Sequence, residues 1–491
     1  MNTRTSSSSS ESKSLASKVK SVWNTFFRKT ETPREIQERH DLYKIALATT
    51  FRQLRIINKQ SESESESESE SDKKAQLEKL YDQAADSLET ETKAHELPIR
   101  SLRFHCQSLI QPQALELLQT CKDIDDKFNL KGVDVDSDVD VDVDVDCDDS
   151  NLKLKEVMKI CKEHLLRERE DVIQTLASPN ANANANANTS IKSTSTSSAA
   201  EQRQRAYLQQ KLNALQILST SHEWDENMDS DLGEKGKESE ADSFGYHINQ
   251  NQQINRSIRL YQMINLTRAI LIKKKIGYST LALKSTLPGA GRGVFIDGFA
   301  PAGTLLSFFP GQIWPKEYLL NVKATSASSM FNNDPRHQLS IRYDDVLVDS
   351  RKAPYTVLDN DYSNAFAIGH IVNHPPPKAK GNGQDKDQTE MPNCTTAMID
   401  FMEHMELTKK GLDVYVPNTY VKPPMVFGPN AMDREKVAVH SFGLISCRDL
   451  ENEELFYDYR LSPGDGGGAS YPSWYEVCDE ESVKNRWVSG D

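Results

Sequence analysis

Apolar positions along the first half of the chain recur every three to four residues, the period of a helix with one buried face. Thr32-Pro33-Arg34-Glu35 is a capping box with proline at the first helical position, and it opens a helix presenting Leu47, Phe51 and Leu54. Leu77, Leu80, Tyr81, Ala84 and Leu88 make a second stripe, and Leu154, Val157, Met158, Cys161 and Leu165 a third. Leu208, Leu212, Leu215 and Leu218 make a fourth. Stripes of this width predict helices that bury their apolar faces on one another as a bundle. A last helix is expected over 254–276. At Gly277 the period changes to short runs bounded by Gly, Pro and Asp pairs. These predict strands from Tyr278 to Lys284, Gly293 to Ile296, Thr304 to Phe309, Thr395 to Phe401 and Val437 to Cys447. Leu339 to Tyr343 and Val346 to Asp349 form a hairpin across Asp344-Asp345. The chain is therefore expected to be α+β, with a compact domain of many short strands at its C-terminal end.

Low-complexity inserts interrupt the helical part. Ser and Glu alternate over 61–72, Val and Asp over 133–149, and Asn and Ala lead into a Ser/Thr-rich run over 180–198. None of these can bury a core, so each is expected to be disordered. The spacing of the Val-Asp run is superficially that of a calcium loop, but the turn glycine and bidentate glutamate are missing at the required positions. This divides the chain into a disordered or targeting segment 1–31, a helical region 32–224, a linker 225–253, the helix 254–276, a β domain 277–461 and a tail 462–491. From Met1 to Thr30 the first segment is Ser-rich and basic, with Glu11 as its one acid. It suits targeting or association, so the compartment stays open between nucleus or cytoplasm and a mitochondrion or other organelle.

Composition narrows the function. Net charge is -14, which disfavours direct nucleic-acid binding and favours a basic protein partner. The seven cysteines have no Cys-x-x-Cys spacing, so neither a zinc scaffold nor a disulfide framework is expected. No apolar run is long enough to span a bilayer, so no membrane association is expected.

Three stretches carry candidate chemistry. Pro288-Gly289-Ala290-Gly291-Arg292-Gly293-Val294-Phe295 is a glycine turn entering a strand, where a ligand can approach the backbone closely. It opens no helix, so it is not a phosphate loop. Ile368-Gly369-His370-Ile371-Val372-Asn373-His374 ends on Pro375-Pro376-Pro377, and after a Gly- and Lys-rich excursion the chain returns at Pro392-Asn393-Cys394. His370 and His374 are four apart, and Cys394 or His404 could be a third ligand, but Pro375 stops any helix that would align them, so no metal is expected. Glu451-Asn452-Glu453-Glu454-Leu455-Phe456-Tyr457-Asp458-Tyr459-Arg460 is acidic, then aromatic.

Taken in this order, G-x-G-R-G-V-F, N-H with P-N-C, and E-E-L-F-Y-D-Y resemble the SET domain of protein lysine methyltransferases over about 277–461. Phe309-Pro310-Gly311, Leu339 to Asp349 and the Pro472-Ser473-Trp474-Tyr475 tail also look similar to one branch of that family. The resemblance implies a β-clip fold in which the last motif threads beneath the Asn-His loop as a pseudoknot. It implies S-adenosyl-L-methionine as cofactor, held by the backbone of Gly291, Arg292 and Gly293, by the Asn373 side chain and by the His374 backbone. It implies Tyr459 beside the transferring methyl, and a protein substrate whose lysine lies in a basic context.

The sequence also departs from the family. Pro375 and Pro376 replace the usual Ser-Cys, the excursion before Pro392 is long, and Phe309 stands where many members have a tyrosine. The flanking cysteine-rich zinc segments are absent, and Trp474 or Tyr475 could close the cofactor pocket instead. Two alternatives therefore stand beside the enzyme: a non-catalytic SET-like module that binds a basic peptide, and an interaction scaffold acting through the helical region.

Overall fold

A computed structural model describes residues 33–64, 99–128, 147–177, 199–219, 243–314, 339–344, 346–350, 364–376, 392–420, 437–460 and 475–478. The chain divides into two compact units, Met1–His40 with Asp479–Asp491, and Asp41–Cys478. In the first, the described residues are the opening of a helix; the second holds the core and every contact described next. Among the described residues five long helices come first: α1 (Pro33–Glu64), α2 (Ile99–Phe128), α3 (Cys147–Ala177), α4 (Ala199–Ser219) and α5 (Ser243–Ile276). Ten described strands follow: β1 (Tyr278–Lys284), β2 (Arg292–Ala300), β3 (Leu305–Phe308), β4 (Gly311–Trp314), β5 (Leu339–Ile341), β6 (Leu347–Asp349), β7 (Cys394–Met402), β8 (Asn418–Tyr420), β9 (Val437–Ser446) and β10 (Leu450–Glu451). The protein is thus mixed α+β, with helices in the N-terminal half and small sheets towards the C-terminus.

The sheets have the orders β1-β2-β10, β3-β9-β7 and β5-β6-β4-β8. All pairings between these strands are antiparallel except β4 with β8, which is parallel. In the first sheet Leu281 faces Phe295 and Leu283 faces Gly293, so the glycine turn is the connection of a long hairpin. In the second, β7 and β9 pair from Cys394 opposite Ser446 to Met402 opposite Val437. Helices and sheets share one core. Leu118 of α2, Leu165 of α3, Leu215 of α4 and Ile270 of α5 join Val294, Leu306, Ile399 and Leu444 of the strands. Each such side chain contributes about 1.5–3 kcal/mol when fully buried.

Polar contacts fix the helices on the strands. Gln113 of α2 donates to the Gly303 carbonyl and accepts the Leu305 N–H, both at 3.0 Å. Arg268 of α5 grips buried Asp125 of α2 at 2.7 and 3.1 Å. Lys211 of α4 is fully buried between Glu168 of α3 and Asp297 of β2, and Lys273 of α5 reaches Asp297 at 2.8 Å. Burial pushes the Asp297 carboxyl up, but the two ammonium groups outweigh it and hold its pKa below the ordinary value.

Several expectations change. The helix α2 has no counterpart among the stripes above, although Leu102, Cys106, Ile110, Leu117, Cys121 and Ile124 are buried along it at helical spacing. Ser61 to Glu64, expected in a linker, continue α1, because glutamate propagates a formed helix well even without a buried face. The helix α5 begins at Ser243 and not at 254, since the polar run 249–253 contains no breaker. On α1 the buried apolar residues are Leu42, Ile45, Ala46 and Ala48, while Leu47, Phe51 and Leu54 are half-buried. The buried face of α4 is Tyr207, Lys211, Leu215 and Leu218, one residue off the leucine stripe at its start, because the Glu168 and Asp297 carboxylates draw Lys211 inward. Strands β4, β8 and β10 were not anticipated. The stripe 77–88 and the segments 1–32, 65–72, 133–146, 180–198 and 225–242 lie outside the described residues.

Candidate active site

The glycine turn is closed by the Ser285 N–H donating to the Gly291 carbonyl at 2.9 Å. Gly289 and Gly291 take φ of 79° and 73°, and a Cβ on either would meet nothing within 4 Å. This exposed stretch of backbone is open to an approaching group. Gly293 differs: a Cβ there would lie 2.0 Å from Glu454 Oε1 and 3.1 Å from Asn373 Nδ2. Glycine at 293 is what lets the other two motifs come together against β2.

The segment 453–457 runs between two partners. On one side it pairs with β2, through Ile296 N–H to the Glu453 carbonyl at 2.9 Å and Leu455 N–H to the Val294 carbonyl at 2.7 Å. On the other, Tyr457 N–H donates to the Asn373 carbonyl at 3.1 Å. Asn393 N–H and Cys394 N–H both donate to the Phe456 carbonyl, and Phe456 N–H returns to Asn393 Oδ1 at 2.8 Å. The last motif therefore lies against the Asn-His loop and the Asn-Cys return at once.

Glu454 is the hub of this crossing. Its buried carboxylate accepts from Ser285 Oγ at 2.7 Å, from Thr286 N–H at 2.7 Å and from the Thr286 hydroxyl. Asn373 Nδ2 adds a fourth bond at 3.2 Å and also donates to the Arg292 carbonyl at 2.9 Å. The Asn373 amide thus ties the glycine turn to the last motif.

Beyond Tyr457 the site is aromatic. Tyr459 donates its hydroxyl to the Val372 carbonyl at 2.9 Å, and its ring lies 4.9 Å from that of Tyr457. Burial raises the Tyr459 phenol to about 12, so it is neutral, and a donor, at ordinary pH. Phe309 is buried 5.0 Å from Phe442 and meets Tyr457 edge-on at 5.8 Å. His374 is buried with its ring stacked on Tyr475 at 4.4 Å. Its Nδ1 accepts the Tyr459 N–H at 3.3 Å, so Nε2 carries the proton and donates to the Glu476 carbonyl at 2.8 Å. Burial, partly opposed by the Glu476 carbonyl and Asp458, lowers the imidazole pKa. Tyr475 also donates to Asp458 at 3.2 Å, so 475–478 folds back over the Asn-His loop.

The structure brings Arg292, Gly293, Asn373, His374 and Tyr459 into one connected network, with Gly291 at its exposed edge. It does not align His370 with His374 as ligands. The potential ligand group among the described residues is His374, Asp458 and Cys478, with donor atoms within 4.8 Å of one another. Both His374 ring nitrogens already have hydrogen-bond partners. Trp474 and the excursion 377–391 lie outside the described residues. Glu454, Ser285 and Thr286 escaped the sequence reading: in Glu451-Asn452-Glu453-Glu454 nothing marks which carboxylate turns inward. A scan of protein-family models gives no match to this chain, and no curated protein matches it by sequence.

Proposed function

We propose that the protein is a SET-type, S-adenosyl-L-methionine-dependent methyltransferase acting on a protein lysine. The observation that carries this reading is the meeting of the three resembling motifs, spread over about 170 residues of the chain, at Gly293, Asn373 and Glu454. The run of 453–457 between β2 and the Asn373 and Asn393 segments supports the pseudoknot that the resemblance implies.

The residues fit the cofactor. The backbone of Gly291, Arg292 and Gly293, open and at positive φ at Gly291, would hold its amino-acid end, with the Asn373 amide beside it, and the His374 backbone would face the adenine. When bound, the cofactor supplies a methyl group on a positively charged sulfur. Tyr459, neutral and donating, would orient the lysine amine, and Tyr457, Phe309 and Phe442 would exclude water from it. Tyr475, stacked on His374, supports the expected aromatic cover. An acidic chain suits a lysine in a basic context.

The second reading, a module that binds a basic peptide without turnover, draws on Phe309, which offers no hydroxyl, and on the Asn373 amide, which already serves Arg292 and Glu454. The third, a scaffold of helices, is disfavoured by the core that helices and strands share. No helix among the described residues is long and apolar enough to cross a membrane. The test is incubation of the full chain with lysate and isotope-labelled S-adenosylmethionine, followed by mass spectrometry of lysines. Labelled methyl-lysine that requires the protein supports the enzyme. Peptide capture without label supports the module.

A further inference from the structure

Resting on the role given above to Tyr459, we infer that Asp41, on the N-terminal helix α1, is a positioning residue for that tyrosine and acts through Arg460. Arg460 follows Tyr459 directly and takes φ of 53°, in the left-handed region that side-chain-bearing residues adopt only when their surroundings impose it. The Asp41 carboxylate imposes it. Arg460 Nη2 donates to Asp41 Oδ1 at 2.6 Å, and Nη1 donates to Oδ2. The Tyr343 hydroxyl donates to that same Oδ2 and lies within hydrogen-bond reach of Arg460 Nη1. Asp41 is almost wholly buried and Arg460 partly so. Burial works against the Arg460 charge, but the Asp41 carboxylate outweighs it and raises the pKa, so the guanidinium stays charged.

A two-pronged grip fixes the plane and the direction of a guanidinium, which one point contact does not. Its backbone is then fixed on both sides, because Arg460 N–H donates to Asp458 Oδ1 at 2.9 Å, and Asp458 in turn accepts from Tyr475. Tyr459 sits between these two anchored residues. Its N–H to His374 Nδ1 and its hydroxyl to the Val372 carbonyl both depend on how the backbone is presented there.

Asp41 is not needed to dock α1. Leu42, Ile45 and Ala46 bury that helix in the core, and Arg55 bonds Asp449 through both carboxylate oxygens at 2.8 Å. Across the chain Asp41 grips Arg460, 419 residues away. An element that the sequence places outside the β domain thus sets the geometry of its most important side chain.

The test uses the full chain with 3-fluorotyrosine at position 459, comparing wild type with Asp41→Ala. In the folded variant the fluorine resonance is expected to shift and broaden. Methyl transfer at saturating S-adenosylmethionine is expected to fall about a hundredfold, the scale of a misplacement near 1 Å, while KM for the cofactor stays within about threefold. A merely structural Asp41 would lower the melting temperature and leave the fluorine signal and the kcat of the folded protein alone, and that result overturns the inference. If Asp41→Ala does not fold, Arg460→Lys, which keeps the charge and loses the two-pronged grip, decides by the same signal. If wild type transfers no methyl, the methyltransferase reading falls, and the fluorine signal still decides whether Asp41 sets the ring of Tyr459.

Discussion

Gly293→Ala tests the crossing on which the site is built. The new Cβ would stand 2.0 Å from Glu454 Oε1 and 2.8 Å from its Cδ, far inside contact distance, so one of them must move. The side chain of a free glutamate would swing away at little cost. Here the carboxylate is held by Ser285, by the backbone and hydroxyl of Thr286, and by Asn373. Hydrogen bonds to a charged group are worth about 1.5–3 kcal/mol each, and a swing that loses two of the four, with partial recovery from water, costs about 2–4 kcal/mol. Gly291→Ala is the control. Its Cβ enters open space at positive φ, so it carries only backbone strain of about 1–2 kcal/mol. The assay is urea unfolding of the full chain for Gly293→Ala, Glu454→Ala and the double variant. With Glu454 truncated only Asn373 Nδ2, 3.1 Å from the new Cβ, is left to give by a few tenths of an ångström, so Gly293→Ala should then cost under about 0.5 kcal/mol, a large departure from additivity. Equal costs of Gly293→Ala in both backgrounds would refute the reasoning, as would a single variant as stable as wild type.

Two further outcomes follow from buried charge. His374 has a folded pKa below its ordinary 6.5, because burial disfavours the imidazolium, so the unfolded chain binds a proton that the folded protein excludes. Its contribution to stability is full above about pH 6.5 and is lost as pH falls from there through the folded pKa; a ring titration by NMR with a midpoint at or above 6.5 would contradict this. Lys211→Met removes the ammonium between Glu168 and Asp297 and leaves Lys273 to serve both, at 3.5 and 2.8 Å. A loss of about 3 kcal/mol is expected in chemical denaturation, and a loss under about 1 would show that Lys273 suffices.

Local pattern made the hairpin of β1 and β2 legible, since the residues from Tyr278 to Lys284 are of strand-forming types and a glycine turn follows. It made the candidate site partly legible, because Arg292, Gly293, Asn373, His374 and Tyr459 lie in short motifs. Their partners were not legible. Asp41 and Arg460 are 419 residues apart, and nothing near either marks it as half of an ion pair. Lys211 looks like a solvent-facing residue on a polar helix until Glu168 and Asp297 are seen around it. Strands β4 and β8, of four and three residues, are too short to show a period, and their parallel pairing joins segments about a hundred residues apart. The helix α2 is a different failure: its stripe is clear in Leu102, Cys106, Ile110 and Leu117, while Pro112 within it is the kind of residue that usually marks a boundary.

The most direct test of the central claim is single-turnover methyl transfer to a lysine substrate found in lysate, wild type against Tyr459→Phe, at saturating S-adenosylmethionine. The substitution keeps the ring against Tyr457 and deletes the hydroxyl that now donates to the Val372 carbonyl. Cofactor binding and folding should survive, and transfer should fall on the order of a hundredfold, by analogy with losing one preorganised donor. Equal rates with identical products in the two proteins would remove Tyr459 from the reaction, and no transfer by wild type would contradict the methyltransferase itself.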